Sequence, residues 1–170
     1  KWRREPPSPL PELLPEDVRR FRGRLWRIMR TSGRQALPWN TLRSWGPVQH
    51  MRWDPHRLPP RAQPDRAVMY TATDVLTSVA EVYQHDRFVD VHTGDPFLIG
   101  FTPTRELGLL DLTGTWLLRC GSTTSQMGAP RAACRAWARG VAEAHPDLDG
   151  LWVTSSTTNR PVAVLFSPSL

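Results

Sequence analysis

Val68-Met69-Tyr70-Thr71-Ala72, followed at once by Thr73-Asp74 and the stretch Val75 to Gln84, sets the frame for this chain. The first five residues are apolar or β-favouring and read as a buried strand. Thr73 or Asp74 then supplies an oxygen suited to capping a helix. Val75, Leu76, Val79, Ala80 and Tyr83 recur at helical spacing, so a helix running to about Gln84 with one apolar stripe is expected.

Upstream, Leu25–Met29 reads as another strand. The residues between Thr31 and Asp65 are dense in Pro, Trp and Arg without periodicity, which predicts mostly loop. The tail of that segment, Pro55 to Pro64 with Pro59-Pro60 inside, is a turn or linker. Downstream, strands are expected at Val89–His92, Phe97–Thr102, Leu107–Leu112, Leu151–Thr154 and Val162–Phe166. A second helix is expected from Pro130 to just before His145-Pro146, burying Ala133, Trp137, Ala138 and Val141. Many short strands with only two sizeable helices predict an α+β domain built on a compact mixed sheet, and leave no room for a doubly wound one.

The N-terminal region has a different composition. Pro6, Pro7, Pro9, Pro11 and Pro15 predict an extended, poorly ordered arm, with one or two helical turns over Glu16–Phe21. Residues 1–23 are therefore assigned to a basic, Pro-rich arm and 24–170 to the domain. Residues 1–34 hold ten basic and four acidic side chains, which accounts for the chain's whole net charge of +6. Such an end suits an acidic partner, or nucleic acid weakly, although no nucleic-acid motif is present.

No apolar run approaches the roughly 18 residues of a membrane span, and no secretory leader pattern is visible. Cys120 and Cys134 are too few for a disulfide framework and lack zinc spacing. With reduced thiols expected, a cytoplasmic protein is the reading. His50, His56, His85, His92 and His145 are scattered without a metal-binding spacing, so no metal is expected.

Five residues are candidates for chemistry. Arg27 sits inside an apolar strand and needs an acceptor, either a structural carboxylate or a ligand phosphate. Arg52, in Met51-Arg52-Trp53-Asp54-Pro55, either pairs locally with Asp54 or makes a second phosphate or ribose contact. Tyr70 is either a core ring with a satisfied hydroxyl or a platform for a flat cation. Glu81 falls roughly opposite the apolar stripe of its helix, so periodicity calls it exposed; as a functional group it would stabilise an oxocarbenium-like transition state. Ser155 ends a strand in a hydroxyl-rich turn, and no histidine is spaced to activate it as a nucleophile. Trp39, Trp45 and Trp53 are candidates to wall a cleft.

Taken in order, Leu25-Trp26-Arg27-Ile28, Met51-Arg52-Trp53-Asp54-Pro55, Val68-Met69-Tyr70-Thr71-Ala72, Ala80-Glu81-Val82, Gly108-Leu109-Leu110-Asp111-Leu112, Arg135-Ala136-Trp137-Ala138, Asp149-Gly150-Leu151-Trp152-Val153-Thr154-Ser155 and Val162–Phe166 resemble the RES-domain family over most of the chain. The resemblance implies a fold related to ADP-ribosyltransferase toxins, with NAD+ as substrate and cleavage at the nicotinamide–ribose bond by water or phosphate. It also implies a toxin neutralised by a helix-turn-helix antitoxin. On that reading Arg27 and Arg52 clamp the pyrophosphate and its ribose side, and Tyr70 packs on nicotinamide. Glu81 faces the ribose carbon, and Ser155 bonds near the carboxamide or ribose. A transferase that modifies a macromolecule, or an inactive basic binding module, are the competing readings.

Overall fold

Residues 1–33 and 36–167 are described by a computed structural model; Arg34, one of the ten basic residues of the N-terminal stretch, lies outside them. In chain order the strands and helices are β1 (Val18–Phe21), β2 (Leu25–Arg30), β3 (Trp45–Gly46), β4 (Arg61–Ala62), β5 (Val68–Ala72), α1 (Val75–Tyr83), β6 (Pro96–Phe101), β7 (Leu107–Asp111), α2 (Trp116–Arg119), α3 (Arg131–Ala144), β8 (Gly150–Thr154) and β9 (Pro161–Phe166). Seven strands form one sheet in the order β1-β7-β8-β9-β5-β2-β6, and β3 pairs with β4 apart from it. Only β7 and β8 run parallel among these pairs. The α+β architecture therefore stands as the sequence indicates.

The alternation of apolar residues along the central strands sorts two cores onto the two faces of the sheet. Leu110, Leu151, Val153, Val164 and Phe166 point to the face covered by α2 and α3, where they meet Trp116, Trp137, Cys134 and Val141. Trp116 and Trp137 meet edge-on with centroids 6.0 Å apart, an arrangement contributing about 1 kcal/mol beyond area burial. Leu107, Leu109, Trp152, Ala163 and Leu165 face the other way, onto Leu25, Leu42 and Met69. At the start of β8, Gly150 has φ +148, and a Cβ there would stand 2.0 Å from the Val164 carbonyl oxygen. No side chain fits at that position.

The N-terminal arm is extended, as its prolines dictate, but it is bound to the domain. The Arg3 backbone N–H donates to Gln126 Oε1 (3.0 Å), and the Arg3 carbonyl accepts from Trp137 Nε1 (3.1 Å). Leu10 and Leu13 pack on the helical-face core. The helical turns expected over Glu16–Phe21 are confined to a 3-10 turn at Pro15–Asp17; Val18–Phe21 is instead an edge strand registered on Leu107–Leu110. Docking on the exposed edge of β7 outweighs the local helical tendency of that segment.

Val89–His92 is a turn rather than a strand. Arg87 (φ 52) and Asp95 (φ 48) take left-handed conformations, and the Asp90 carboxylate accepts the backbone N–H groups of His92 and Thr93, each at 2.9 Å. Those bonds replace the ladder a strand would need.

Most consequential for the site is how β2 meets β5. Their ladder has a single registered pair, Trp26 with Ala72, whereas β2 is registered on β6 over six residues and β5 on β9 over five. Beyond that pair the two strands part, and α1 lies beside the gap. The space between them is a cavity.

Candidate active site in the gap between β2 and β5

The cavity has a volume of about 690 Å³, within the range of small-molecule sites. Its walls are all of Trp26–Arg30 and Val68–Ala72, with Arg43 and Met51 from the long loop, Ser78, Glu81 and Val82 from α1, and Gly94 beyond it. Among the described lining residues the charged groups are Arg27, Arg30, Arg43 and Glu81, an excess of two positive charges beside one carboxylate.

Arg27 projects from β2, and its Nε and Nη1 are buried with no hydrogen-bond partner among the described residues. Burial lowers its pKa from the ordinary arginine value, yet a guanidinium keeps its proton in proteins. Of the two acceptors the sequence leaves open for it, no structural carboxylate bonds those two nitrogens. The result is a half-buried cation in the cavity wall with two unsatisfied nitrogens, an arrangement that suits an anionic occupant.

Glu81 reaches the same cavity because α1 presents its polar side to the domain. Asp74 caps the helix by accepting the Thr77 N–H (2.9 Å), and Thr77 and Ser78 are buried one turn before Glu81. Val75, Leu76 and Val82 are exposed instead. Of the stripe expected to be buried, Tyr83 is buried, Val79 and Ala80 are half-buried and Val75 and Leu76 are exposed, while the carboxylate expected to be exposed lines the site. Ser155 is buried and donates its hydroxyl hydrogen to Glu81 Oε1 at 2.5 Å, while Ser155 Oγ accepts the N–H groups of Thr157 (3.1 Å) and Thr158 (3.0 Å). Its oxygen is committed to the turn and to the glutamate. Ser155 is not among the residues lining the cavity, and it reaches the site through its bond to Glu81.

Tyr70 lines the cavity with its ring, and its hydroxyl is satisfied behind. It donates to Asp54 Oδ1 (2.8 Å) and accepts the Trp53 N–H (3.0 Å). Burial first, and then the Asp54 carboxylate, push the phenol well above its ordinary value. The hydroxyl is thus structural, and the residue packs against the helical-face core while bordering the cavity.

Arg52 is a correction. It neither pairs with Asp54 nor lines the cavity; its guanidinium donates to the Ala129 carbonyl just before α3 and approaches Cys134 Sγ at 3.8 Å. Trp53 is locked in the helical-face core, which turns its neighbour toward α3. Arg43 and Arg30 are the arginines that line the cavity beside Arg27, and the Arg43 guanidinium is already engaged by the protein. The Arg43 backbone bridges Val68, and its Nη2 bonds fully buried Asp54 Oδ1 at 2.7 Å. Asp54 therefore holds Arg43 and Tyr70 together, and it also accepts the Val48 N–H (2.8 Å). The only trace of Arg43 in the sequence is an arginine beside Leu42 in an aperiodic loop, which is not a usable signal.

Of the three candidate cleft tryptophans, none lines this cavity: Trp53 is core, Trp45 is exposed, and Trp39 flanks an adjoining groove with Phe97 and Ile99 that shares Met29 and Leu37 with the cavity. Trp26 lines it instead. Among the described residues no group of three or more His, Cys, Asp or Glu side chains could hold a metal ion.

The arrangement sets guanidinium groups and one carboxylate, oriented by a hydroxyl, around a single cavity, a combination suited to a flat or anionic ligand. No curated protein matches the chain. A chain in the crystal structure of the M. tuberculosis MbcT-MbcA toxin–antitoxin complex has a similar fold, with a TM-score of 0.57 and 18% identity over 89% of this chain and 77% of that one. The RES domain model matches residues 24–170, beginning where β2 begins and enclosing Arg27, Tyr70, Glu81 and Ser155. The chain belongs to the RES-domain family.

Proposed function

We propose that this protein cleaves the nicotinamide–ribose bond of NAD+, with water or phosphate as acceptor, and acts as the toxin of a toxin–antitoxin pair. The observation that carries this reading is the unpartnered Arg27 guanidinium sharing one cavity with the Ser155-oriented Glu81. The excess positive charge of the walls suits a pyrophosphate, which takes paired bonds from planar guanidinium groups. Tyr70 offers a ring face to the cationic nicotinamide.

As the C1′–N1 bond breaks, its electron pair moves to the nicotinamide nitrogen, which leaves neutral. Positive charge grows on the ribose carbon and its ring oxygen, where the Glu81 carboxylate stabilises it. Because Oε1 is held by Ser155, Oε2 is the oxygen left to face that charge. An acceptor oxygen then bonds to C1′ and releases its proton to solvent. The leaving group needs no protonation, so the absence of a positioned general acid from this constellation is no obstacle.

The toxin role is supported by family membership and by the likeness to a toxin–antitoxin structure. An antitoxin of the helix-turn-helix kind, acting inside the cell, is the proposed partner. The exposed apolar side chains of α1 and the following turn (Val75, Leu76, Val82, Phe88, Val89 and Val91) give such a partner a surface to cover.

The test is to incubate purified protein with NAD+ and follow free nicotinamide and the ADP-ribosyl product. Release of nicotinamide together with ADP-ribose, or its phosphate ester, supports the proposal, provided that Glu81→Gln abolishes it. Radiolabel from NAD+ appearing on protein or nucleic acid would favour the transferase reading. NAD+ left intact by wild-type protein overturns the proposal.

A further inference from the structure

A second cavity, of about 270 Å³, shares no lining residue with the first. It lies between the Pro55–Arg66 stretch and the end of α3. Two of its wall residues carry buried nitrogens with no partner: Arg66 Nη1 and His145 Nε2. The Arg66 side chain is only 8% exposed, and its nearest carboxylates, Asp65 and Glu143, stand 3.7 Å away, beyond hydrogen-bond reach. Those two acids are instead bonded by Arg57, at 3.0 and 3.2 Å.

An arginine this buried cannot give up its charge, and a hydrogen bond left unmade on it is expensive. Burial lowers the pKa of His145, and its Nε2 is a ring nitrogen without a partner that donates in one tautomer of the imidazole. Arg66 Nη1, a fixed donor, and His145 Nε2 have no hydrogen-bond partner among the described residues, so what the cavity lacks is an acceptor group. Pro55, Pro146 and Phe166 supply flat apolar walls beside them. The local charges of Arg57 and Arg66 against Asp65 and Glu143 cancel, so the site favours a monoanion over a multiply charged phosphate.

We infer that this cavity is a binding site for a small carboxylate carried on a flat apolar body, held by Arg66 and His145. At roughly 30 Å³ per water the space equals about nine waters, room for one ring and its carboxyl group.

The experiment is calorimetric titration of the full chain with benzoate, with inorganic phosphate as the comparison at equal ionic strength. It is combined with NMR of the His145 ring nitrogens. Benzoate should bind, shift the His145 signals, and bind about tenfold or more weakly to Arg66→Gln. Arg27→Gln should leave that binding unchanged, since Arg27 lines only the other cavity. His145→Leu keeps the test open should Arg66→Gln fail to fold, and it should also weaken binding. Unshifted His145 signals at saturating benzoate, tighter binding of phosphate, or loss of binding with Arg27→Gln would each overturn the inference.

Discussion

Ser155 Oγ and Glu81 Oε1 are 2.5 Å apart, joined across 74 residues of sequence, and this bond lets a turn after β8 determine where the carboxylate on α1 points. Glu81→Gln should lower NAD+ cleavage by about 10²–10³-fold, and Ser155→Ala by less. The double variant should be no worse than Glu81→Gln alone, because Ser155 acts only through the carboxylate. Initial rates of nicotinamide release for the four proteins check this; additive losses would refute it.

Arg27 combines a functional demand with a structural cost. Arg27→Met should abolish NAD+ cleavage and at the same time raise the melting temperature, because it removes a buried cation whose Nε and Nη1 have no partner. The gain should be on the order of 1–3 kcal/mol. Calorimetry alongside the activity assay reads both signs, and a destabilised variant would show that the guanidinium is held by groups other than a ligand.

Tyr70 ties stability to alkaline pH. Its folded pKa is raised, whereas the unfolded chain titrates at the ordinary value near 10. Its contribution is therefore complete below pH 10 and is lost as pH rises above that value, since the unfolded state then sheds its proton first. Tyr70→Phe should flatten that alkaline loss. It should also cost about 1–3 kcal/mol at neutral pH, because buried Asp54 loses a donor and the Trp53 N–H loses its acceptor. Denaturant titrations from pH 8 to 11 measure both effects.

Deleting residues 1–13 should destabilise the fold without changing the chemistry. The deletion removes the Arg3 carbonyl from Trp137 Nε1 and withdraws Leu10 and Leu13 from the core, at a cost of about 2–4 kcal/mol. None of the deleted residues lines the cavity beside β2 and β5, so NAD+ cleavage at low temperature should persist.

Where local pattern and tertiary demand agree, the chain is legible from its letters. Val68–Ala72 is a strand with the expected bounds and Asp74 caps the following helix, since apolar runs and capping oxygens act locally. The face of that helix is misread for a physical reason. Its inward side carries Thr77, Ser78 and Glu81 because it walls a polar site, so hydrophobicity points the wrong way. Arg52 and Arg43 exchange roles because the burial of Trp53 and the bridge from Arg43 to Val68 are long-range events in an aperiodic loop. Arg27 could be identified because a cation in an apolar strand is anomalous without any knowledge of what surrounds it.

The lone rung between Trp26 and Ala72 leaves β2 and β6 as a two-stranded jaw, fastened to the remaining sheet chiefly at one end. Substitutions that widen or narrow the mouth therefore work against one rung, the contacts of α1 and the seat of Leu25 in the core around Leu165, while the core around Trp137 holds no residue of the jaw. The width of the cavity is therefore open to retuning with the core around Trp137 left in place.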